Sequence, residues 1–551
     1  MYQCPNCGGE LVFDPSSQQV SCKSCSGKFN PNEVLKDQDS ETDEYLDVTI
    51  YKCPQCGGEI TTTDNTVADF CSFCGAATIL SGRLDKTKRP NYIIPFKKTK
   101  EDCKNAYTKF TSKAIFTPSE YKDAKYIDSF RGIYMPYWSY NVTQRGPARV
   151  KGEKSYRRGD YIYTDHYDIY GDENSYYNGL SFDASSSFND NISEKIAPFD
   201  AKDLVKFTPS YLLGFYADTA DVPADVYSDS AADFAAEESL KFIKKQNEVR
   251  KYEVKTTAEK AKSALNTKVE GAQPTMFPVW FMSYRKNNRV SYATVNGQTG
   301  KVCADMPVSL IKYLIGSLLL AIPLFLLMNS FLVLLPKTIL TVVMISALIT
   351  IIMYNYELAQ IIAKDKGEGD LGFLYMRQKN KKNSNANNSN VNDANASKAN
   401  ASKKDEKPKK KKKENNFLIL IGVIAIVFFV MFLGYGFVLV LKDFFGDATY
   451  SILFFILASV GLIVHVNSTK KLKEIAIKAS IPGSIFSCLS LVIGFVICVV
   501  NPASDLYYYG AVIVSLFSMF FTLMSMIKYY NILASRKLPQ FDLYEGGDDR
   551  A

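Results

Sequence analysis

The chain has 551 residues, with 65 Lys and Arg against 57 Asp and Glu and a formal net charge of +8. Hydrophobic residues make up 47% and charged residues 22%, a mixture typical of a protein with soluble and membrane parts. The first residues, Met1–Pro5, offer neither a basic region nor an apolar core, so no signal peptide is predicted.

Two Cys-x-x-Cys pairs near the N-terminus form a unit that is repeated 49 residues later, and 14 residues separate the pairs in each unit. Because such turns aim four thiolates at one point, each unit predicts a closed structural zinc site, two ions in all. The alternative, a disulfide framework, is disfavoured in a segment expected to face the cytoplasm. We predict zinc ribbons at residues 1–30 and 48–80. The ligands are Cys4, Cys7, Cys22 and Cys25 in the first, and Cys53, Cys56, Cys71 and Cys74 in the second.

The sequence Cys-Pro-x-Cys-Gly-Gly-Glu with a second Cys-x-x-Cys resembles the zinc ribbon of transcription factor IIB. With three later segments, at 92–97, 131–138 and 208–215, the chain resembles uncharacterised bacterial membrane proteins that carry this ribbon at the N-terminus. The resemblance covers residues 1–305 and implies no known catalytic activity. It implies partners in flotillin-like and phage-shock envelope-stress systems. This chain departs from the usual pattern of such proteins in the six apolar segments and the long linker of its second half.

Residues 1–82 carry 4 Lys, no Arg and 12 Asp and Glu, a net charge of −8. Zinc held by four thiolates adds about −2 at each site. A nucleic-acid binder needs the opposite sign to displace counterions from phosphate, so protein partners are expected instead. At least one ring among Phe13, Phe29 and Phe73 is expected to be exposed for such a contact.

Residues 91–305 are predicted to form an α+β cytosolic domain. Helices are expected at 99–116, 119–130 and 230–248. The Tyr-, Val- and Ile-rich stretch 134–170 predicts antiparallel strands, and a hairpin is expected within 289–305.

The two tryptophans, Trp138 and Trp280, follow similar residues and suggest two related halves. Two aromatic strands that anchor one core are a better interpretation than an aromatic ligand cage. The acidic residues around His166 could hold Ca²⁺, but their spacing fits no known loop, so a solvated strand edge is expected. They are Asp160, Asp165, Asp168, Asp172 and Glu173.

Six apolar segments follow, each near the ~20 residues that a helix needs to cross a hydrocarbon core. They predict an all-α membrane sector of about six transmembrane helices, two within 308–356 and four within 417–530. The segments are 308–328, 337–356, 417–441, 450–466, 481–500 and 506–529.

The loops alternate in charge. The loop 357–416 carries 15 Lys and Arg, and its Asn- and Lys-rich part, 380–416, is predicted to be a disordered linker. Basic residues also follow the fourth and sixth segments, whereas 501–505 has none. The positive-inside rule therefore places both termini, including a tail at 531–551, on the cytoplasmic side of a bacterial plasma membrane.

The sequence thus favours a membrane-anchored zinc-ribbon adaptor that contacts the lipid bilayer and recruits protein partners, rather than an enzyme. The alternatives are a transporter subunit and an enzyme with a site in 91–305. The six apolar segments contain no Asp, Glu or Arg, which disfavours a proton-coupled carrier. Only two histidines, His166 and His465, are present, and no phosphate loop or nucleophile motif occurs.

Overall fold

The structure is a computed structural model, and it combines two cysteine clusters, a large β-sheet and a set of C-terminal helices. It describes residues 2–36, 38–39, 44–62, 71, 73–74, 81–286, 289–331, 335–379, 448–474 and 483–537. The predicted linker at 380–416, the third apolar segment and most of the predicted tail lie outside these ranges.

Sixteen strands occur in the described part of the chain. They are β1 (Leu11–Asp14), β2 (Gln19–Cys22), β3 (Lys28–Phe29), β4 (Tyr45–Lys52), β5 (Glu59–Thr62), β6 (Ser81–Lys88), β7 (Tyr92–Ile93), β8 (Arg131–Arg158), β9 (Tyr161–Asp183), β10 (Val205–Lys206), β11 (Tyr216–Ala217), β12 (Glu253–Val254), β13 (Thr267–Lys286), β14 (Arg289–Asn296), β15 (Val302–Ala304) and β16 (Arg536–Lys537).

The helices divide into five within the sheet domain and six that follow it. They are α1 (Lys100–Ser112), α2 (Ala124–Ile127), α3 (Asp190–Ile196), α4 (Ser228–Lys245), α5 (Ala258–Ala264), α6 (Leu310–Phe331), α7 (Pro336–Asp365), α8 (371–379), α9 (Ala448–Glu474), α10 (Ser484–Val500) and α11 (Asp505–Leu533).

The strands form two sheets of very different size. A three-stranded sheet, β1-β2-β3, belongs to the first cysteine unit. The second sheet has thirteen strands, with the main order β10-β7-β13-β8-β11-β5-β4-β6. Since β4, β5 and β6 surround the second cysteine unit and Ala217 of β11 pairs with Thr61 of β5, this unit is continuous with the large sheet. It is not a separate ribbon beside an independent 91–305 domain.

The middle of the large sheet contains two similar halves. The first has the order β7, α1, β8 and β9, and the second has the order β11, α4, β13 and β14. β7 lies parallel to β13 and pairs Ile93 with the residue two before Pro278. β11 lies parallel to β8 and pairs Ala217 with the residue two before Pro136. The two halves therefore meet their opposite long strands in the same register.

Both tryptophans repeat this correspondence. The indole N–H of Trp280 donates to the carbonyl of Lys98 (2.9 Å), and that of Trp138 donates to the carbonyl of Val222 (2.7 Å). Each acceptor lies five residues after the short parallel strand of the other half. The interpretation of two related halves therefore has a structural counterpart, and each ring anchors a loop of the other half.

The predicted helices of this domain are found with changed bounds. α1 begins at a capping box, in which Thr99 Oγ1 accepts from the N–H of Asp102 (3.1 Å), and it ends at Ser112. The single helix predicted at 119–130 was wrong: a 3₁₀ turn at Ser119–Lys122 and the four-residue α2 are separated by the extended backbone of Asp123. The strands predicted at 134–170 are one long antiparallel hairpin, β8–β9. The hairpin predicted within 289–305 is β14–β15.

The helices α7, α9, α10 and α11 pack together in one bundle. At one end the N–H of Gly483 donates to the hydroxyl of Tyr354 (3.0 Å), and Lys471 Nζ donates to the carbonyl of Asn355 (3.4 Å). At the other end Lys337 Nζ approaches Asn501 Oδ1 (3.4 Å). α10 therefore runs antiparallel to α7, whereas α9 and α11 run parallel to it.

The sheet domain is bonded to the Tyr354 end of the bundle. Arg289, which opens β14, donates to the carbonyls of Ile532 (3.0 Å) and Ser535 (2.9 Å) at the end of α11. β16 then pairs with β14, so the chain after α11 adds a strand to the large sheet. Asn531 Oδ1 accepts from the N–H of Val308 (2.7 Å), just before α6. Residues 531–537, predicted to belong to a tail, are thus structured.

Two of the described helices are long and apolar enough to cross a membrane, judged by length and composition alone. They are Pro336–Lys364 and Asp505–Leu533, and Leu310–Pro323 and Ser484–Val500 are shorter apolar helices. Buried core helices of soluble proteins can pass the same test. The structure therefore supports a set of C-terminal helices with two candidate spans, which is less than the six predicted.

Candidate metal centres

The first cysteine group is formed by two residues that precede β1, by the last residue of β2 and by one residue between β2 and β3. Cys4 Sγ is 3.8 Å from Cys25 Sγ, and Cys7 Sγ is 3.5 Å from Cys22 Sγ. All four sulfur atoms lie within 4.8 Å of one another. Cys4 and Cys22 are buried, whereas Cys7 and Cys25 are exposed, so one side of this centre faces solvent.

The second group repeats this geometry in a closed environment. Cys53 Sγ is 3.7 Å from Cys74 Sγ, and Cys56 Sγ is 3.6 Å from Cys71 Sγ. Here all four cysteines are buried. They belong to the same hydrophobic cluster as the central strands of the large sheet. This centre is therefore part of the core of the sheet domain.

The sulfur positions fit a tetrahedral metal ion. Zinc–sulfur bonds of about 2.3 Å in a tetrahedron separate the sulfur atoms by about 3.8 Å. The observed separations are close to that value and far longer than a disulfide bond of about 2.05 Å. None of the eight cysteines forms a disulfide bond, so both groups predicted from the sequence could hold metal ions.

Backbone geometry brings the thiols to these positions. The N–H of Gly8 donates to the carbonyl of Cys4 (2.8 Å), and the N–H of Gly57 donates to that of Cys53 (2.9 Å). Both glycines have positive φ, +69° and +73°, which a side chain would disfavour. Hydrogen bonds from the backbone, chiefly the N–H of Cys25, lower the pKa of the Cys22 thiol to about 6. At Cys7 the N–H of Gly9 lowers the pKa, but the Cys22 and Cys25 thiols raise it further, to about 12, so these contacts favour a thiolate at Cys22 and not at Cys7.

The rings expected to be exposed beside the cysteines are largely covered. Phe13 is only 1% exposed, and its ring meets the edge of Tyr211 at a centroid distance of 5.2 Å. Phe73 is also 1% exposed and packs against Phe281. Phe29 is half-buried. Phe13 and Phe73 therefore cannot supply the exposed ring that was expected, because the sheet domain itself covers them, which leaves the half-buried Phe29.

The histidines and the acidic stretch lie elsewhere. The side chain of His166 is 75% exposed, far along the β8–β9 hairpin, and its Nδ1 lies 3.1 Å from Glu153 Oε1. Asp168 on the same strand pairs with Arg149 (2.6 Å). Within the described ranges, only the two cysteine groups have metal-ligand geometry. His465 lies in α9 beside Ser484 (2.8 Å).

The structure also reveals a buried acidic group that the sequence analysis missed. Asp183, Asp190 and Asp370 are 2%, 3% and 5% exposed. The hydroxyl of Tyr227 and the N–H of Leu371 donate to the two oxygens of Asp190 (2.9 and 2.8 Å). Burial, and then the neighbouring charges of Asp190 and Asp370, raise the pKa of Asp183 well above its ordinary value. The group joins the residues after α7 to the sheet domain.

A weak signal for Asp183 exists in the repeated halves. The N–H of Ala184 donates to the carbonyl of Pro136 in the first half, and the N–H of Gly297 donates to the carbonyl of Pro278 in the second half (2.8 Å each). Asp183 therefore corresponds to Asn296, which is also fully buried. Asn296 Nδ2 donates to the carbonyl of Ile196 (3.0 Å). A buried polar residue at the end of the return strand is thus common to both halves.

Comparison with known proteins gives one distant relative. The chain is similar to "Uncharacterized protein YdjG" of Bacillus subtilis (strain 168), with 29% identity over 312 residues. The match covers 56% of this chain and 90% of the relative. No model of a known protein family matches the chain, and no solved structure matches it at a significant level. The sequence thus has a distant bacterial relative.

Proposed function

We propose that this protein is a membrane-anchored adaptor that recruits protein partners to the cytoplasmic face of a bacterial membrane, with a structural zinc ion in each cysteine group. The observation that carries the proposal is the attachment of both groups to one sheet domain that is itself bonded to the end of an apolar helix bundle. Four thiolates leave no open coordination position, so the ions are assigned to structure and not to catalysis.

The metal-binding units act in this proposal as parts of a rigid platform. The first shares a hydrophobic cluster with β7, β8 and β13, and the second adds β4, β5 and β6 to the edge of the large sheet. Each unit has too few apolar residues of its own to fold alone, so zinc contributes to folding directly. Partners then bind the outer surface of the platform, because Phe13 and Phe73 are already covered.

We further propose six transmembrane helices with both termini in the cytoplasm. α6 begins, and α7, α9 and α11 end, near the sheet domain, whereas Lys337 and Asn501 mark the opposite end of the bundle. The described basic residues near the C-terminal ends of α7, α9 and α11, such as Lys364, Lys471 and Arg536, are therefore grouped at the sheet-domain end. The positive-inside rule assigns that end to the cytoplasm. The third proposed span, residues 417–441, rests on the sequence alone.

The resemblance to ribbon-bearing membrane proteins makes an envelope-stress or membrane-organising partner the first to test. The net charge of −8 over residues 1–82 supports a protein partner over a nucleic acid. The alternatives, a transporter subunit and an enzyme with a site in 91–305, gain no specific observation from the described residues.

The proposal is tested by cross-linking the tagged full chain in intact bacterial cells and extracting it in mild detergent. Wild type and Cys488→Ser, which changes a buried cysteine of α10 outside both metal groups, should each recover the same abundant partner. Cys56→Ser should recover much less, because it breaks the platform. Recovery of no other protein in comparable amount from wild type would contradict the adaptor role, and solute uptake by vesicles containing the pure chain would favour the transporter.

A further inference from the structure

The outer part of the β8–β9 hairpin, residues 154–165, is called the arm below. The last described strand beside the hairpin is β12, which pairs with Gly152 and Glu153, and every arm residue beyond it is exposed. Tyr156, Tyr161 and Tyr163 are 45%, 72% and 46% exposed. A two-stranded ribbon alone is marginally stable in water, and a group of exposed rings indicates an interaction surface.

The arm points away from the helix bundle. β8 begins at Arg131, which pairs with Phe281 of β13, and β13 continues to Lys286, which pairs with Arg289 at the bundle. The other end of β8 is Arg158, and at about 3.3 Å per residue the strand spans up to about 90 Å. A lipid surface around the bundle is therefore out of reach, which leaves a protein as the partner for the exposed rings of the arm.

The two strands of the hairpin have opposite charge. Residues 149–158 of β8 contain five Lys and Arg and one Glu, whereas residues 161–173 of β9 contain four Asp and Glu and neither Lys nor Arg. A complementary partner must offer an acidic strand opposite β8 and a basic strand opposite β9. A second copy of the same hairpin, turned by a two-fold axis that runs parallel to the strands, has this arrangement.

We propose that the arm pairs face to face with the arm of a second copy of this chain. A two-fold axis along the strands keeps each residue at the same position along the axis. Each β8 residue therefore faces, in the second copy, the β9 residue that is equivalent to its partner in its own hairpin. Lys154 then faces Asp165 of the second copy. By the same cross-strand register, Tyr156 faces Tyr163 of the second copy, and Arg158 faces its Tyr161.

Each of these contacts is favourable and occurs twice. They comprise an ion pair, an aromatic pair and an arginine over a tyrosine ring. The contacting face is the one that is buried further down the hairpin, where Val150 is 3% exposed and packs beneath α4 and α5. Within one chain the rings of Tyr156 and Tyr163 already stack, with centroids 5.8 Å apart. The arm of the second copy therefore covers the same face of the hairpin beyond the point where α4 and α5 end.

Two arms alone make a small interface, so the dimer gains from confinement of both chains in one membrane. The parallel axis leaves both bundles side by side with the same orientation, which rests on the membrane anchoring proposed above. The pairing itself does not depend on the adaptor role, because the contacts are between arms.

The test measures the oligomeric mass of the full chain in detergent, and uses two differently tagged versions to detect exchange. Lys154→Glu and Asp165→Lys should each weaken dimerisation by about tenfold or more, because both symmetric ion pairs become repulsive. An equal mixture of the two variants should form mixed dimers with wild-type affinity. Damage within a single hairpin cannot produce that rescue.

Arg157→Glu is the matched control, since it reverses a charge at the same level on the opposite face, where Arg157 pairs with Ile162. It should leave the dimer intact. A monomeric wild type, an equal loss with Arg157→Glu, or failure of the mixture to form mixed dimers would each overturn the proposal. A monomeric chain whose arm instead retains another protein would keep the adaptor role and exclude the second copy.

Discussion

The two cysteine groups differ in how deeply their sulfur atoms are buried, although their spacing in the sequence is the same. Cys7 and Cys25 face solvent, whereas all four cysteines of the second group lie in the core of the large sheet. A metal ion bound at the second site supports residues that the rest of the domain packs against. The same substitution should therefore have unequal consequences at the two sites.

We predict that the full chain holds two zinc ions, and that Cys7→Ser and Cys56→Ser each remove one. Structural zinc binding contributes about 10–16 kcal/mol in small metal-dependent units, more than the stability of many domains. Cys56→Ser should therefore expose the sheet domain to proteolysis, and Cys7→Ser should affect mainly residues 2–36. Metal analysis under reducing conditions together with limited proteolysis provides the measurement. One ion or none in wild type would contradict the assignment.

Close packing around Gly132 gives a second prediction. A Cβ atom added there would lie 2.5 Å from the ring of Phe215, which is stacked on Phe96 with centroids 4.4 Å apart. Gly132→Ala should therefore destabilise the domain by about 1–3 kcal/mol. The control is Gly171→Ala, where the added Cβ has no atom within 4 Å. Thermal unfolding should show a lower midpoint for the first variant only.

The buried carboxyl of Asp218 predicts a pH dependence. Burial raises its pKa to about 7, although Ser185 and Ser187 each donate a hydrogen bond to it (2.6 Å). Because the folded state binds this proton more tightly than the unfolded state, the stabilisation is complete below pH 4 and is lost as pH rises to about 7. The upper bound on the change is about 4 kcal/mol.

Asp218→Asn should reduce this fall in stability between pH 4 and 7, because the amide does not titrate. Denaturant unfolding at several pH values provides the measurement. Parallel stability curves for wild type and variant would show that Asp218 does not contribute.

At the scale of secondary-structure elements, the junction between the sheet domain and α11 is a small set of polar contacts. Arg289 holds the last carbonyls of the helix, and β16 continues the chain into the sheet. A cation at a helix C-terminus is favourable because the unpaired carbonyls carry partial negative charge. Arg289 and β16 therefore connect the end of α11 directly to β14.

Arg289→Ala should weaken this junction by about 1.5–3 kcal/mol, since hydrogen bonds to a charged group are lost. Hydrogen exchange of residues 530–537 in detergent should become faster. Arg285→Ala is the control, because Arg285 is bonded to the exposed Gln55 (2.7 Å) and does not contact α11. Equal exchange in both variants would place the coupling elsewhere.

At the scale of the whole molecule, the direction of each helix relative to the sheet domain determines which side of the membrane each connecting loop should face. A reporter fused at Asn390 should report the cytoplasm, and one fused at Gly446 should report the opposite side. This follows from the grouping of basic residues at the sheet-domain end of the bundle. Matching signals from the two fusions would refute six spans with both termini in the cytoplasm.

The amino-acid sequence by itself determined the features that depend on neighbouring residues. Two Cys-x-x-Cys turns bring four thiols together whatever surrounds them, because the turn geometry and the metal coordination are local. The same holds for the capping box at Thr99 and for the long apolar helices. Alternating Tyr, Val and Ile residues likewise predicted the strands of the β8–β9 hairpin.

Only the tertiary structure decided which surfaces remain free. Phe13 is covered by Tyr211, almost two hundred residues away, and the second cysteine unit joins the large sheet through Thr61 and Ala217. The buried carboxyl of Asp183 likewise meets Asp370 from beyond α7. Burial depends on contacts between distant parts of the chain, and neither spacing nor periodicity encodes these contacts. For that reason the sequence determined which thiols come together, whereas the fold determined what the two cysteine units support.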